Sequence, residues 1–314
     1  MTHYLKEYKW SNIFAMIRNS SLDPQRCPDD FPGRLVVITG ATSGIGYAAA
    51  EKFASRGAHL LLINRNEAKS IQVCDQLRSQ YNARCEYLLA DFSKLSDVHA
   101  AGMKLAGLDR DIDVLIHNAG NYLVSKTMTV DHLETVFQTN YLSTFILNYY
   151  LREKLSKQKS ARILFINSEA HRFAVLGLNM EDLNWERHAY SGARSYGAAK
   201  LAQLLSTIKF ADYFAGSAVT INAMHPGNVK TNSGQSNNAV YKFFKQVFVD
   251  SSARPIEVSA EAIYYLCVSK EVEKTSGKFF SLTSEEIPAP PALDRNQAEI
   301  LWKKSLDLGG LHGN

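Results

Sequence analysis

Short apolar runs rich in leucine and β-branched residues alternate with longer stretches of helical periodicity from Arg34 onward, and this alternation leaves few architectures open. The runs are Leu35–Thr39, His59–Ile63, Glu86–Leu89, Val114–His117, Arg162–Asn167, Val219–Met224 and Lys278–Ser281. Helical patterns begin near Ile45, Glu67, Leu95, Asp131, Arg194 and Glu257. Strands that are apolar along their whole length must be covered on both faces, and parallel neighbours need crossover helices to join them. The pattern therefore predicts an α/β fold, a doubly wound parallel sheet with helices on both faces. No internal repeat is visible, which excludes a solenoid.

The first run enters Thr39-Gly40-Ala41-Thr42-Ser43-Gly44-Ile45-Gly46, a glycine-rich turn between a strand and a helix. Glycines in that context permit a tight turn and let the backbone approach a pyrophosphate, which rests on the free amides and positive dipole end of the helix. The sheet is accordingly expected to be of the Rossmann type. The second run ends at Asn64 and Arg65, about two dozen residues past Gly40, where an NAD-preferring site usually places an acidic residue. Here there is none. The guanidinium of Arg65 offers a donor fork matched to a 2′-phosphate, so NADP(H) is the expected cofactor. Taken alone, Arg65 is also compatible with an ordinary surface arginine.

The chain has 314 residues, and 35 Lys and Arg against 31 Asp and Glu leave a net charge of only +4. That gives no electrostatic footprint for nucleic acid. Cys27, Cys74, Cys85 and Cys267 form no CxxC pair and show no metal-ligand spacing, so reduced thiols, a cytoplasmic setting and no metal are expected. Residues 1–33 read as an amino-terminal arm in which Leu5, Tyr8, Ile13, Phe14 and Ile17 share one face of a short helix, ended by Pro24, Pro28 and Pro32. Such a stripe suits packing on the arm's own domain, residues 34–314, or a peripheral contact with a membrane surface.

With the motifs that follow, the sequence resembles the short-chain dehydrogenase/reductase superfamily, in its branch of retinol-dehydrogenase-like and WW-domain oxidoreductase-like members. The shared features are the glycine turn, Asp91, His117-Asn118-Ala119-Gly120, Asn140, Ser168, Tyr196 with Lys200, Pro226-Gly227 with Thr231, and Leu301-Trp302. They run from about residue 33 to Gly310. The resemblance implies that Asp91 contacts adenine, that Asn118 to Gly120 support the sheet and cofactor, and that Thr231 holds the carboxamide. The expected cofactor surface is thus Gly40, Thr42, Ser43, Gly44, Ile45, Gly46, Arg65, Asp91, Phe92, Asn118, Ala119, Gly120, Tyr196, Lys200, Pro226, Gly227, Val229 and Thr231. His117 and Asn167 depart from the common family pattern, at positions not expected to carry chemistry. The membrane helix of many retinol dehydrogenases and a WW domain are not seen, so membrane residence is not carried over.

Hydride transfer to a carbonyl leaves an alkoxide that needs a proton near neutral pH, and tyrosine alone is too weak an acid. Lys200, four residues after Tyr196, shares a helical face with it and supplies a cation that favours the phenolate. Tyr196 is therefore the expected general acid for reduction and base for oxidation. Ser168, at the end of the fifth run, would donate to the substrate oxygen. Asn140, by resemblance alone, would hold a water that relays protons beyond Lys200.

Two segments after strand ends carry apolar and aromatic residues: His171, Arg172, Phe173, Leu176, Trp185 and Tyr190 between Ser168 and Tyr196, and Tyr241, Phe243, Phe244, Val247 and Phe248 in a lid expected around 233–255. They suit a hydrophobic alcohol or carbonyl of retinoid, steroid, lipid or xenobiotic type, or simply pack on the domain. Glu169 and His171 do not make a hydrolase, because no GxSxG elbow surrounds Ser168 and no HExxH is present. The rival reading is a cofactor-binding regulatory or scaffold protein on the same fold. Contact of residues 240–249 with a membrane, and a homodimer, are further open expectations.

Overall fold

A computed structural model describes residues 4–228 and 254–311, except the side chains of Ile13, Ser20 and Ser21. Eight strands form one sheet: β1 (Leu35–Thr39), β2 (His59–Asn64), β3 (Cys85–Leu89), β4 (Val114–His117), β5 (Ala161–Ile166), β6 (Val219–His225), β7 (Phe279–Ser281) and β8 (Ser284–Glu286). Their order is β3-β2-β1-β4-β5-β6-β7-β8. Strands β1 to β7 run parallel, in registers such as Val37 opposite Leu61 and Leu115 opposite Ile163. All five residues of β1 are buried, as a central strand covered on both faces requires.

The helices are α1 (Tyr4–Glu7), α2 (Trp10–Ser21), α3 (Gly44–Ala54), α4 (Glu67–Tyr81), α5 (Leu95–Ala106), α6 (Thr135–Phe137), α7 (Ser143–Ser156), α8 (Gly192–Tyr213), α9 (Ile256–Val268) and α10 (Arg295–Leu308). Two cores result, one on each face. Leu105, Phe145, Leu201, Phe210 and Leu301 cover one side of the sheet, and Phe53, Leu77, Ile263 and Tyr264 the other. The strand order reverses between β1 and β4, which opens a crevice at the carboxyl ends of the strands.

Three sequence expectations are corrected. The sheet is not wholly parallel, because β8 turns back antiparallel on β7. Its Ser-Glu-Glu sequence has neither apolar continuity nor alternation, yet Glu286 is buried and receives Arg172 and Asn19. The helix expected near Asp131 starts instead at Thr135, because the Glu134 carboxylate caps it by accepting from the amides of Val136 and Phe137. The arm does pack on its own domain, but of the described stripe residues only Tyr8 is half-buried. Leu5, Phe14 and Ile17 are exposed, while Tyr4 is buried and bonds to Asp294, and Asn19 reaches Glu286 at 3.2 Å. Among the described residues no helix is long and apolar enough to cross a membrane.

Candidate active site

Sites at the carboxyl ends of β1 to β6 converge on the crevice. After β1, the turn delivers α3 with Ser43 as its first flanking residue and no side chain capping its free amides. Gly44 has a φ of +61°, and a Cβ built there meets nothing within 4 Å, so the turn borders open space. Gly46 is packed in the opposite sense: a Cβ would lie 2.4 Å from Asn118 Nδ2 and from the Gly40 carbonyl oxygen. Asn118 donates to the carbonyls of Thr39 and Gly40, and Thr39 Oγ1 accepts from the amides of Asn118 and Ala119. Asn64 Oδ1 takes the Ala41 amide at 2.8 Å, leaving Asn64 Nδ2 buried without a partner. An uncapped helix start beside open space, with an orphaned donor at its rim, fits a bound pyrophosphate.

Arg65 is exposed at the end of β2, directly before Asn66, which caps α4 by accepting from the Lys69 amide. Asp91 follows β3. Burial pushes its carboxyl up, but hydrogen bonds from the Ser93 amide and hydroxyl, with the charges of Arg65 and Lys94, outweigh this and hold it below the usual range. Phe92, expected on the cofactor surface, is 7% exposed and packs its side chain into the core. Pro226 and Gly227 lie after β6, and Ser259 on α9 donates to the Pro226 carbonyl. Val229, Thr231 and most of the expected lid, residues 233–253, lie outside the described residues.

Tyr196 and Lys200 occupy one face of α8, with the Lys200 Nζ 5.5 Å from the centre of the Tyr196 ring. Tyr122 packs edge-on against that ring at 5.6 Å. Lys200 is buried and donates to the carbonyl of Ile166, the last residue of β5, at 2.8 Å. Burial lowers its pKa to about 7. Ser168, two residues beyond Ile166, accepts from the Ala170 amide at 3.1 Å and so caps a 3-10 turn, Glu169–Phe173; its hydroxyl proton is not used in that bond. The turn sits tightly on α8, because a Cβ on Gly197 would stand 2.6 Å from the Ala170 carbonyl oxygen. This places the serine segment beside Tyr196.

Asn140 lies in a π turn, Gln138–Leu142, between α6 and α7. Such turns recur at functional sites. Its side chain accepts from the Asn121 amide and donates to the Asn121 carbonyl, and its own carbonyl receives Gln203 Nε2 at 2.7 Å. The Asn140 backbone carbonyl is thus bonded to a side chain of α8. Gln203 was missed in the sequence, although its i+3 spacing from Lys200 puts it on the same helical face. Asn167, expected to be idle, joins Lys200 and Gln203, donating to the Lys200 carbonyl and to Gln203 Oε1 at 3.0 Å each. His117 is buried, with Nε2 bonded to Asn148 at 2.8 Å.

His171, expected in the substrate segment, is buried. Its Nδ1 meets the Ser168 carbonyl at 2.8 Å and its Nε2 accepts from the Ala289 amide, which fixes the neutral tautomer with the proton on Nδ1. Glu169 pairs with Arg172 rather than His171, so no carboxylate and imidazole couple forms. Arg172 continues to buried Glu286 on β8. Trp185 and Tyr190 pack against each other, whereas Phe173, Val175 and Leu176 stay exposed.

The short chain dehydrogenase family profile matches residues 34–180. Retinol dehydrogenase 13 of Mus musculus is 33% identical over 299 residues, covering 92% of this chain and 89% of the relative. The human WW domain-containing oxidoreductase is 30% identical over 286 residues, covering 88% of this chain and 68% of the relative. A solved structure of an uncharacterised protein from Mycobacterium paratuberculosis superposes with a TM-score of 0.72 at 28% identity, over 90% of this chain and 95% of the other. The L-sorbose reductase of Gluconobacter frateurii, solved with NADPH and L-sorbose, shares the fold at a TM-score of 0.63 and 20% identity, over 81% and 97% of the two chains. The glycine turn and the Tyr196 and Lys200 helix thus stand at the carboxyl edge of one sheet in a chain that its relatives match over about nine-tenths of its length, and the protein belongs to the short-chain dehydrogenases, as an oxidoreductase of the retinol-dehydrogenase-like branch.

Proposed function

We propose that this protein interconverts an alcohol and a ketone or aldehyde with NADP(H), using Tyr196 as the acid and base. The observation that carries the reading is the buried Lys200 ammonium held 5.5 Å from the Tyr196 ring, beside the turn that presents Ser168. The nicotinamide, when bound, supplies or accepts the hydride. Tyr196 gives a proton to the nascent alkoxide in reduction and takes one from the alcohol in oxidation, and the ammonium of Lys200 stabilises charge on the phenolic oxygen. Ser168 donates its hydroxyl proton to the substrate oxygen as charge develops there.

The residues that would hold the cofactor are the turn from Gly40 to Gly46, Asp91, Asn118 to Gly120, and Pro226 with Gly227. Exposed Arg65, with Lys94 near Asp91 and no acidic residue from Asn64 to Asn66, supports the 2′-phosphate form. Exposed Phe173, Val175 and Leu176 beyond Ser168 support a lipophilic substrate, as does the name of the retinol dehydrogenase relatives. The test is Tyr196→Phe assayed with NADPH against a panel running from all-trans-retinal to small polar aldehydes. Loss of nearly all turnover with cofactor binding intact is the expected result. A fully active variant would refute the role of Tyr196, and preference for small polar carbonyls would refute the lipophilic site.

A further inference from the structure

Gln203 is 1% exposed and makes three bonds through one amide. Its Oε1 accepts from Lys200 Nζ at 3.2 Å and from Asn167 Nδ2 at 3.0 Å, and its Nε2 donates to the Asn140 carbonyl at 2.7 Å. Only one orientation of the amide satisfies this set, because an ammonium can only donate and a carbonyl can only accept. The Asn167 amide is fixed in the same way: its Oδ1 takes the Ser168 amide at 2.8 Å, so its Nδ2 faces Gln203 and the Lys200 carbonyl. A single buried side chain therefore ties together the end of β5, the π turn and α8.

The Lys200 ammonium has three protons. One goes to the Ile166 carbonyl at 2.8 Å and one to Gln203, which leaves the third without an acceptor among the described residues. Around it stand Tyr196 and Gln203 on α8, Ile166 on β5 and, through Gln203, Asn140; among the described residues it forms no salt bridge. With no carboxylate to hold the charge, neutral oxygens aimed at the nitrogen are what oppose the cost of burial.

The geometry points to Gln203 as a positioning residue for the reaction, one whose carbonyl oxygen keeps the Lys200 ammonium charged and directed and whose amide locks it to the Asn140 backbone. An amide neither gains nor loses protons in the working pH range, so this bridge orients the ammonium and is not itself a step in a proton relay. The inference rests on the reading of Tyr196 and Lys200 as the acid and base pair.

The experiment follows the ε-carbon signal of Lys200 against pH by NMR in the full chain carrying isotope-labelled lysine, with the signal assigned by its loss in Lys200→Arg. Gln203→Met keeps the volume but removes the oxygen, and the Lys200 midpoint should fall by about one pH unit or more. Gln203→Glu places an anion at the same point, and the midpoint should rise. The fall in Gln203→Met is the deciding result, since a packing role alone would leave that midpoint in place, whereas an anion raises it whatever the glutamine does. A midpoint unchanged or raised in Gln203→Met overturns the assignment. Thermal melts show which variants fold. If Gln203→Met does not, Gln203→Leu is the second neutral probe: a lowered midpoint supports the role and an unchanged one removes it. Full activity in Tyr196→Phe would sink the acid and base reading without touching these midpoints, so the two failures are distinguishable.

Discussion

The hydroxyl of Ser195 donates to the carboxylate of Glu134 at 3.2 Å, joining the residue before Tyr196 to the residue that starts the helix leading to Asn140. This buried carboxylate accepts from the amides of Val136 and Phe137 and from the hydroxyl of Ser195, while the Tyr190 hydroxyl lies 3.4 Å away and 3.1 Å from the Leu123 carbonyl. Burial raises its pKa, and those bonds oppose the rise. In Glu134→Gln the new NH2 faces a backbone N–H that cannot reverse its role, so the variant should lose about 1–3 kcal/mol of stability. Glu134→Ala should lose more and also slow turnover. Urea unfolding with parallel rate measurements checks both.

Gly197 lets the Ser168 turn press onto α8. A methyl group there must displace the Ala170 carbonyl, which it would approach to 2.6 Å. Gly197→Ala should therefore cost about 1–3 kcal/mol as an overpacked contact and lower kcat by moving Ser168 away from Tyr196, while cofactor affinity stays near that of the parent. Stopped-flow turnover beside a cofactor titration separates the two effects; unchanged turnover would show that the turn accommodates the methyl without moving Ser168.

Histidines that burial holds neutral make acid destabilisation a further expectation. Burial holds His117 at about 4 and His171 at about 3, against about 6.5 in an unfolded chain. Below pH 6.5 the unfolded chain binds protons that the folded chain refuses, so stability falls as pH drops from 6.5 toward 4. Each histidine contributes a slope of about 1.4 kcal/mol per pH unit once both states are well separated. Chemical denaturation at pH 7.5, 6 and 5 should show this loss, with a shallower slope in His117→Asn. An equal slope in that variant would mean that His117 is not held neutral in the fold.

The strands were legible because buried parallel strands must be continuously apolar, as Leu35 to Ile38 and Leu60 to Ile63 are. Tyr196 and Lys200 were legible because helical spacing alone puts them on one face. What escaped was polar and long-range. Gln203, Asn167 and Glu134 gain their roles from partners 36 to 63 residues away, and no local period announces such bonds. Strand β8 escaped because its buried glutamate is compensated by Arg172 and Asn19 from distant segments. The arm's stripe misled for the opposite reason: Leu5, Phe14 and Ile17 are periodic but exposed, and polar contacts such as those of Tyr4 and Asn19 anchor the arm.

Cofactor choice should follow Arg65. Arg65 is an exposed cation at the end of β2, and a charge-assisted bond from it to a 2′-phosphate would contribute about 1.5–3 kcal/mol, or roughly ten- to hundredfold in affinity. Arg65→Asp should weaken NADPH by at least that factor and leave NADH unchanged or tighter, which isothermal titration resolves.

The central claim is tested most directly by titrating the purified protein separately with NADPH and NADH and following cofactor fluorescence. Tight NADPH and weak NADH are predicted, from the open turn at Gly44 and the arginine at the end of β2. Equal affinities would reduce Arg65 to a surface residue. Binding of neither would contradict the enzyme reading itself and favour a scaffold role for the fold.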